Sequence, residues 1–284
     1  MIINSEITYI ADIINYKKLK DKFTYADLVI HLAAEHKDNV SPTSLYYDVN
    51  VEGTKNILKC MDDFNIKNII FISSVAVYGL NKNNPNENDI TDPFNHYGKS
   101  KFLAENVLKS WYEKSSVNNV VIIRPSVIFG EENRGNVYNL FKQIVSKKFI
   151  MIGSGNNKKS MAYVGNVTSL IKKLSFNNKK SFEIYNYADK PDFTMNELIL
   201  VIENTLGIKI PSYKVPYILG IFISYLFDLF SLLTNKKLKI SSVRIKKFCA
   251  TTQFCSEKVL ENFKPPYSIK KALKKTLEYE FKKD

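Results

Sequence analysis

Apolar positions along this chain fall into two rhythms. Short apolar runs, Ala26 to Ala34, Asn68 to Ser73 and Val120 to Phe129, read as buried strands. Between them, Leu45 to Phe64 and His96 to Lys114 read as helices. This alternation predicts a parallel sheet with crossover helices, the α/β class. A polar loop, Asn81 to Asp92, interrupts the series, with Pro85 inside it and Pro93 just after its end.

After Gly130 the rhythm changes. Helices are predicted at Val137 to Lys147, Val164 to Phe176 and Thr194 to Leu206, with a strand at Phe182 to Tyr187. Thr194 and Glu197 have the spacing of a capping box. From Pro211 onward the chain reads as helical, and Ile269, Leu273, Leu277 and Phe281 recur every four residues on a final amphipathic helix. The expected division is residues 1–130 as a dinucleotide-binding domain and 131–284 as a smaller, mostly helical lobe that closes over substrate. Segments around 160–190 are expected to return to the first domain.

The 284 residues can bury a substantial core, and their 45% hydrophobic content argues against long disorder. Cys60, Cys249 and Cys255 lack metal-ligand spacing, so neither a metal nor a structural disulfide is expected. The formal charge of +13 comes from lysines spread over helix faces, without a nucleic-acid motif, and no nucleic-acid partner is expected. A basic surface attracts diphosphates and anionic membrane faces. Met1 to Asp12 lacks the features of a signal peptide, so the cytoplasm is the expected location. Pro216 to Leu233 is almost wholly apolar but is interrupted by Asp228. It reads first as an internal lobe helix, second as a contact with the inner face of the cell membrane, and last as a span.

The candidate chemistry is a split constellation. Ser74 follows the apolar run Ile69 to Ile72, where open α/β sheets place ligand chemistry, and Tyr97 is followed four residues later by Lys101. A tyrosine and a lysine at i and i+4 share a helix face, and the ammonium favours the phenolate. Bringing a tyrosine to neutrality takes about 4 kcal/mol of preferential stabilisation of its charged form. One lysine rarely supplies all of that, so a positively charged cofactor is expected beside the pair.

With these residues in view, the chain resembles the extended short-chain dehydrogenase/reductase superfamily, in its NAD-dependent sugar epimerase/dehydratase branch. The resemblance rests on Ala11-Asp12-Ile13, His31-Leu32-Ala33-Ala34, Asn50 to Thr54, Ser74 to Gly79, Tyr97 to Lys101 and Arg124-Pro125. Asp48 to Thr54, Asp92 to Lys101, Asn133 to Asn139 and Ser160 to Asn166 are similar to members that epimerise N-acetylhexosamines at C4 on a diphosphate carrier, undecaprenyl diphosphate or UDP, for surface-polysaccharide assembly. The resemblance implies a Rossmann-like, doubly wound parallel sheet with NAD as cofactor, and a homodimer formed through the helices at Leu45 to Phe64 and at Tyr97.

It also implies roles. Asp12 and Ile13 would contact the adenine end of NAD; Leu32, Ala33, Ala34 and His36 would line its path; Asn50 would sit beneath the nicotinamide, with Pro125 a further contact. Tyr97 would be the base, Lys101 would orient the nicotinamide ribose and lower the tyrosine's pKa, and Ser74 would bond the sugar oxygen that becomes a carbonyl. Ser74, Val75, Arg134, Asn136 and Lys159 would meet the substrate. Lys159 stands where many relatives carry a phosphate-binding arginine, and Val127 where several UDP-sugar epimerases carry an asparagine. Val75 and Ala76 stand where dehydratases of the branch place acids, which disfavours elimination.

No glycine precedes Gly53, whereas a dinucleotide fold usually opens with a strand, a glycine-rich phosphate turn and a helix. The expectation is therefore a first domain lacking its opening strands. Two alternatives stay open: a dehydratase or ketoreductase of the same family, and a catalytically impaired or binding form of this fold.

Overall fold

The chain's longest stretches of β-branched residues form strands buried on both faces, as parallel sheets require. The computed structural model describes residues 8–23, 26–37, 40–80, 82–176, 181–211, 213–234 and 242–282; the first seven residues of the opening segment lie outside these. The chain divides into two units.

The first unit takes in residues up to 79, together with 89–124 and 171–185. Its elements are α1 (Tyr16–Lys20), β1 (Val29–His31), α2 (Ser44–Tyr47), a π-helical turn (Asp48–Glu52), α3 (Gly53–Asp63), β2 (Asn68–Ile72), a 3-10 turn (Val75–Tyr78), α4 (His96–Glu113) and β3 (Asn119–Pro125). β1, β2 and β3 are parallel, and the later strand Phe182–Tyr187 lies beside β3. Ile69, Phe71, Val120 and Ile122 meet Ile57, Leu58, Met61, Leu108 and Trp111 of α3 and α4 in one apolar core.

Two strand expectations need correction. Ala26 to Ala34 yields only the three residues of β1, which pair with Ile69, Ile70 and Phe71. β1 ends its sheet, and beyond His31 the exposed Leu32 finds no second strand among the described residues. Val120 to Phe129 is two strands rather than one. At Ser126 the chain leaves the first sheet, its N–H donating to Tyr187 O, and Val127–Phe129 pairs with Met161–Tyr163 instead.

The second unit takes in 80–88, 125–170 and residues from 186 onward. The elements after β3 are β4 (Val127–Phe129), α5 (Asn136–Val145), β5 (Met151–Ile152), β6 (Lys158–Tyr163), α6 (Val164–Ser175), β7 (Phe182–Tyr187), β8 (Asp189–Thr194), α7 (Met195–Leu206), β9 (Lys214–Val215), α8 (Tyr217–Thr234), α9 (Ser242–Cys249), α10 (Glu257–Leu260) and α11 (Ile269–Phe281). β4, β6 and β8 form a small mixed sheet, and β5 pairs with β9. Phe129, Phe141, Met161 and Phe193 pack with Leu198 and Ile202 of α7 and Leu273 and Leu277 of α11. The predicted capping box at Thr194 and Glu197 forms in full at the start of α7.

Candidate active site

Three backbone features bring the predicted catalytic residues together. Ser74 caps the 3-10 turn, its Oγ accepting from Ala76 N at 3.2 Å. Asn95 caps α4, its Oδ1 accepting from Gly98 N at 2.8 Å. Gly98 lets the first turn of α4 lie directly on the 3-10 turn: a Cβ there would stand 2.4 Å from Ala76 O. Tyr97 is thereby brought close to Ser74, near enough for the serine hydroxyl to favour the phenolate.

The electrostatics differ from the sequence expectation. Burial pushes the Tyr97 phenol up, with the nearby Ser74 hydroxyl pulling the other way. Lys101, one turn further along α4, is 1% exposed and sits with Nζ 3.9 Å from the centre of the Phe71 ring. Its own burial brings the ammonium down to about 7, opposed by Glu105. Burial thus dominates at both groups, disfavouring the phenolate of Tyr97 and the ammonium of Lys101 alike.

Asn50, on the π-helical turn, ties the end of β1 to α4. Its Oδ1 accepts from Glu35 N at 2.8 Å, and its Nδ2 donates to Glu35 O at 3.0 Å and to Ser100 Oγ at 2.8 Å. Ser100 Oγ in turn donates to Tyr97 O at 2.8 Å. Single-turn π segments are frequent at functional sites, and this one projects Asn50 inward. Beside it, Thr54 Oγ1 gives its only proton to Asn50 O at 2.7 Å, so it must accept from His31 Nε2 at 3.0 Å. His31 is therefore the Nε2–H tautomer, and its buried Nδ1 has no hydrogen-bond partner.

A second buried network flanks the catalytic residues, and the sequence reading did not single it out. Arg124 Nε and Nη2 donate to the two Glu105 oxygens at 3.0 and 2.6 Å, and Nη1 donates to Tyr78 Oη at 2.7 Å. Ser73 Oγ also donates to Glu105. The available signal was spacing: Tyr97, Lys101 and Glu105 follow one another at four-residue intervals on one helix face.

The other predicted residues divide between the units. In the first, Asp12 Oδ1 accepts from Ile14 N at 3.0 Å, and Asn56 Nδ2 donates to Ile13 O at 2.9 Å. Leu32, Ala33 and His36 are exposed, Ala34 is half-buried, and Val75 is buried. In the second, Pro125 ends β3, and Asn136 opens α5. Arg134 pairs with Glu280 at 2.7 Å and lies 4.4 Å from the Tyr138 ring centre. Lys159 Nζ donates to the carbonyls of Lys247 and Ala250 at 3.0 and 2.6 Å, and burial lowers it to about 8.

The residues of the first unit suit a nicotinamide ribose. Lys101 Nζ carries three N–H donors and makes no hydrogen bond to the described residues, so it can serve a pair of ribose hydroxyls. The exposed Leu32 and Ala33, at the C-terminal end of a parallel strand, offer an apolar surface at the edge where such sheets bind ligands.

Residues 3–188 match the family model of the NAD dependent epimerase/dehydratase family. The N-acetyl-alpha-D-glucosaminyl-diphospho-ditrans,octacis-undecaprenol 4-epimerase of Escherichia coli O157:H7 is 56% identical over 278 residues, covering 97% of this chain and 84% of that protein. Among solved structures, UDP-glucuronic acid 4-epimerase from Bacillus cereus in complex with NAD aligns with a TM-score of 0.74 at 19% identity, over 98% of this chain and 81% of that one. UDP-glucose 4-epimerase from Thermotoga maritima with UDP-glucose gives 0.74 at 20% identity, over 95% and 83%. At these identities the structural likeness is one of fold.

Proposed function

Because this chain belongs to the NAD dependent epimerase/dehydratase family, we propose that it is a 4-epimerase interconverting N-acetylglucosamine and N-acetylgalactosamine on undecaprenyl diphosphate. The observation that carries the reading is the close packing of the first turn of α4 on the 3-10 turn at Gly98, which brings Tyr97 to Ser74 with Lys101 one turn on, in a chain so similar to an undecaprenol-linked 4-epimerase.

In this reading Tyr97 Oη removes the proton from the sugar's C4 hydroxyl, and Ser74 Oγ holds the same oxygen as it becomes a carbonyl. NAD, when bound, supplies the hydride acceptor and then the donor. Lys101 Nζ would hold the nicotinamide ribose, while Asn50 and Ser100 fix the backbone of Tyr97. The 4-keto sugar turns over and is reduced on its other face, and Tyr97 Oη returns the proton. Arg134, Asn136 and Lys159 of the second unit are assigned to the diphosphate, Lys159 exchanging a carbonyl for a phosphate oxygen. α3 and α4 border a groove of about 650 Å³ lined by Val51, Leu58, Leu103, Val107 and Trp111, and we assign it to a homodimer contact.

The test is to incubate the protein with NAD and either undecaprenyl-diphospho-N-acetylglucosamine or UDP-N-acetylglucosamine, release the sugars and separate the C4 epimers. Conversion of the lipid-linked donor, lost by about 10²–10⁴-fold in Tyr97→Phe, is expected. A 4-keto-6-deoxy product, or no conversion of either donor, would overturn the reading.

A further inference from the structure

Helix α8 is built inside out. Its inward stripe is Gly220, Ser224 and Asp228, one residue per turn, while its large apolar side chains point away from the protein. Gly220 presses against Ile152 so closely that a Cβ there would stand 2.6 Å from Ile152 Cγ2. Ser224 is fully buried and donates to Ile221 O at 2.7 Å, and the Asp228 carboxylate accepts from Ser242 N at 3.1 Å, at the start of α9. Outward, Ile218 is 82% exposed, Phe222 60%, Leu226 52%, Phe230 54% and Leu232 77%. This is not the internal helix that the sequence suggested first.

We propose that α8 is a membrane-docking helix that lies in the plane of an anionic bilayer surface. Three observations select a lipid surface. At about 100° per residue the exposed apolar positions sweep an arc of roughly 200°, about twice the stripe that a helix buries against a protein. A fluid phase can wet so wide an arc, whereas a rigid partner must wrap around it. The helix also does not span: none among the described residues is long and apolar enough to cross a membrane, and 18 residues reach only about 27 Å of the roughly 30 Å needed. Finally, α9, packed on α8, exposes Arg244 and Lys246, and Lys246 lies 5.3 Å from the Tyr225 ring centre. Basic residues beside exposed tyrosines suit the headgroup layer of an anionic membrane.

The face stands on its own geometry, while its purpose, delivery of a polyprenyl-linked sugar, rests on the function proposed above. The experiment is vesicle flotation of the full chain with phosphatidylcholine alone and with added phosphatidylglycerol, at low salt. Wild type is expected to float with the anionic vesicles, and Phe222→Ser/Leu226→Ser/Phe230→Ser to partition at least about tenfold less. Arg244→Gln/Lys246→Gln should weaken binding chiefly to the anionic vesicles. Failure of wild type to float overturns the proposal. So does flotation unchanged in the triple variant, above all if light scattering shows that this variant breaks an oligomer, which would give the face to a second copy. Epimerisation of a detergent-solubilised short-prenyl donor separates the two readings. The triple variant should keep wild-type turnover there, and loss of flotation with turnover intact in wild type would sink docking alone.

Discussion

Glu105 and Arg124 grip each other through both carboxylate oxygens in the interior of the first unit, each side chain 4% exposed. The pair joins α4, which carries Tyr97 and Lys101, to the end of β3. Through Ser73 and Tyr78 it reaches both sides of Ser74. Arg124 is held above its usual value by Glu105 and Tyr78 against the cost of burial. Removing one partner leaves the other charge buried and unpaired. Arg124→Met is expected to lose about 3–5 kcal/mol of stability in urea unfolding. The paired change Glu105→Leu/Arg124→Met should recover part of that loss, and a double variant no more stable than either single one would contradict the account.

Gly98 supports a second prediction. Any Cβ at this position meets Ala76 O at 2.4 Å, and backbone on both sides leaves little to yield. Gly98→Ala must therefore lift the first turn of α4 from the 3-10 turn and part Tyr97 from Ser74. The expected result is a stability loss of about 1–3 kcal/mol with turnover reduced at least tenfold. Normal turnover in a folded Gly98→Ala protein would show that this close approach does not position the tyrosine.

Lys101 gives a pH-dependent prediction. Its folded value of about 7 lies below its ordinary 10.5, chiefly through burial. Between these values the unfolded chain binds more protons, so this group's contribution to stability rises with pH. Lys101→Met removes the buried charge. It is expected to be more stable than wild type near neutrality, with the gap narrowing from about pH 7 to pH 10.5, while activity is lost. Urea midpoints of both proteins across that range test this, and a gap independent of pH would refute it.

Much of the first unit was legible because its signals are local. The apolar run ending in Ile72 and the Tyr97, Lys101 spacing lie within single elements, and both elements form where expected. The Glu105–Arg124 clasp was not legible, because it joins a helix to a strand by tertiary contact, and no local rule pairs them. β6 and β8 were missed because Lys158–Tyr163 and Asp189–Thr194 lack apolar alternation, and their pairing with each other defines them as strands. β8 lies at the sheet's edge, where a proline such as Pro191 is tolerated. For α8 the composition announced an apolar helix, and the spacing of Gly220, Ser224 and Asp228 held the clue to which side faces the protein.

His31 carries the final prediction, on the acid side. It is 2% exposed, donates from Nε2 to Thr54, and has a buried Nδ1 with no hydrogen-bond partner. Burial, and then the charge of Lys101, bring it down to about 3 from an ordinary 6.5. Between those values the unfolded chain takes up a proton that the folded one refuses, so stability falls as pH falls through the window. The slope from this residue is at most about 1.4 kcal/mol per pH unit. In His31→Gln the amide can still donate to Thr54 but cannot be protonated. The stability difference between wild type and His31→Gln is therefore expected to shift in the variant's favour as pH drops from 6.5 towards 3, with the carboxylates common to both cancelling. Parallel acid titrations of urea stability would show this, whereas a constant difference would mean that His31 is not buried as the neutral Nε2–H form beside Asn50 and Lys101.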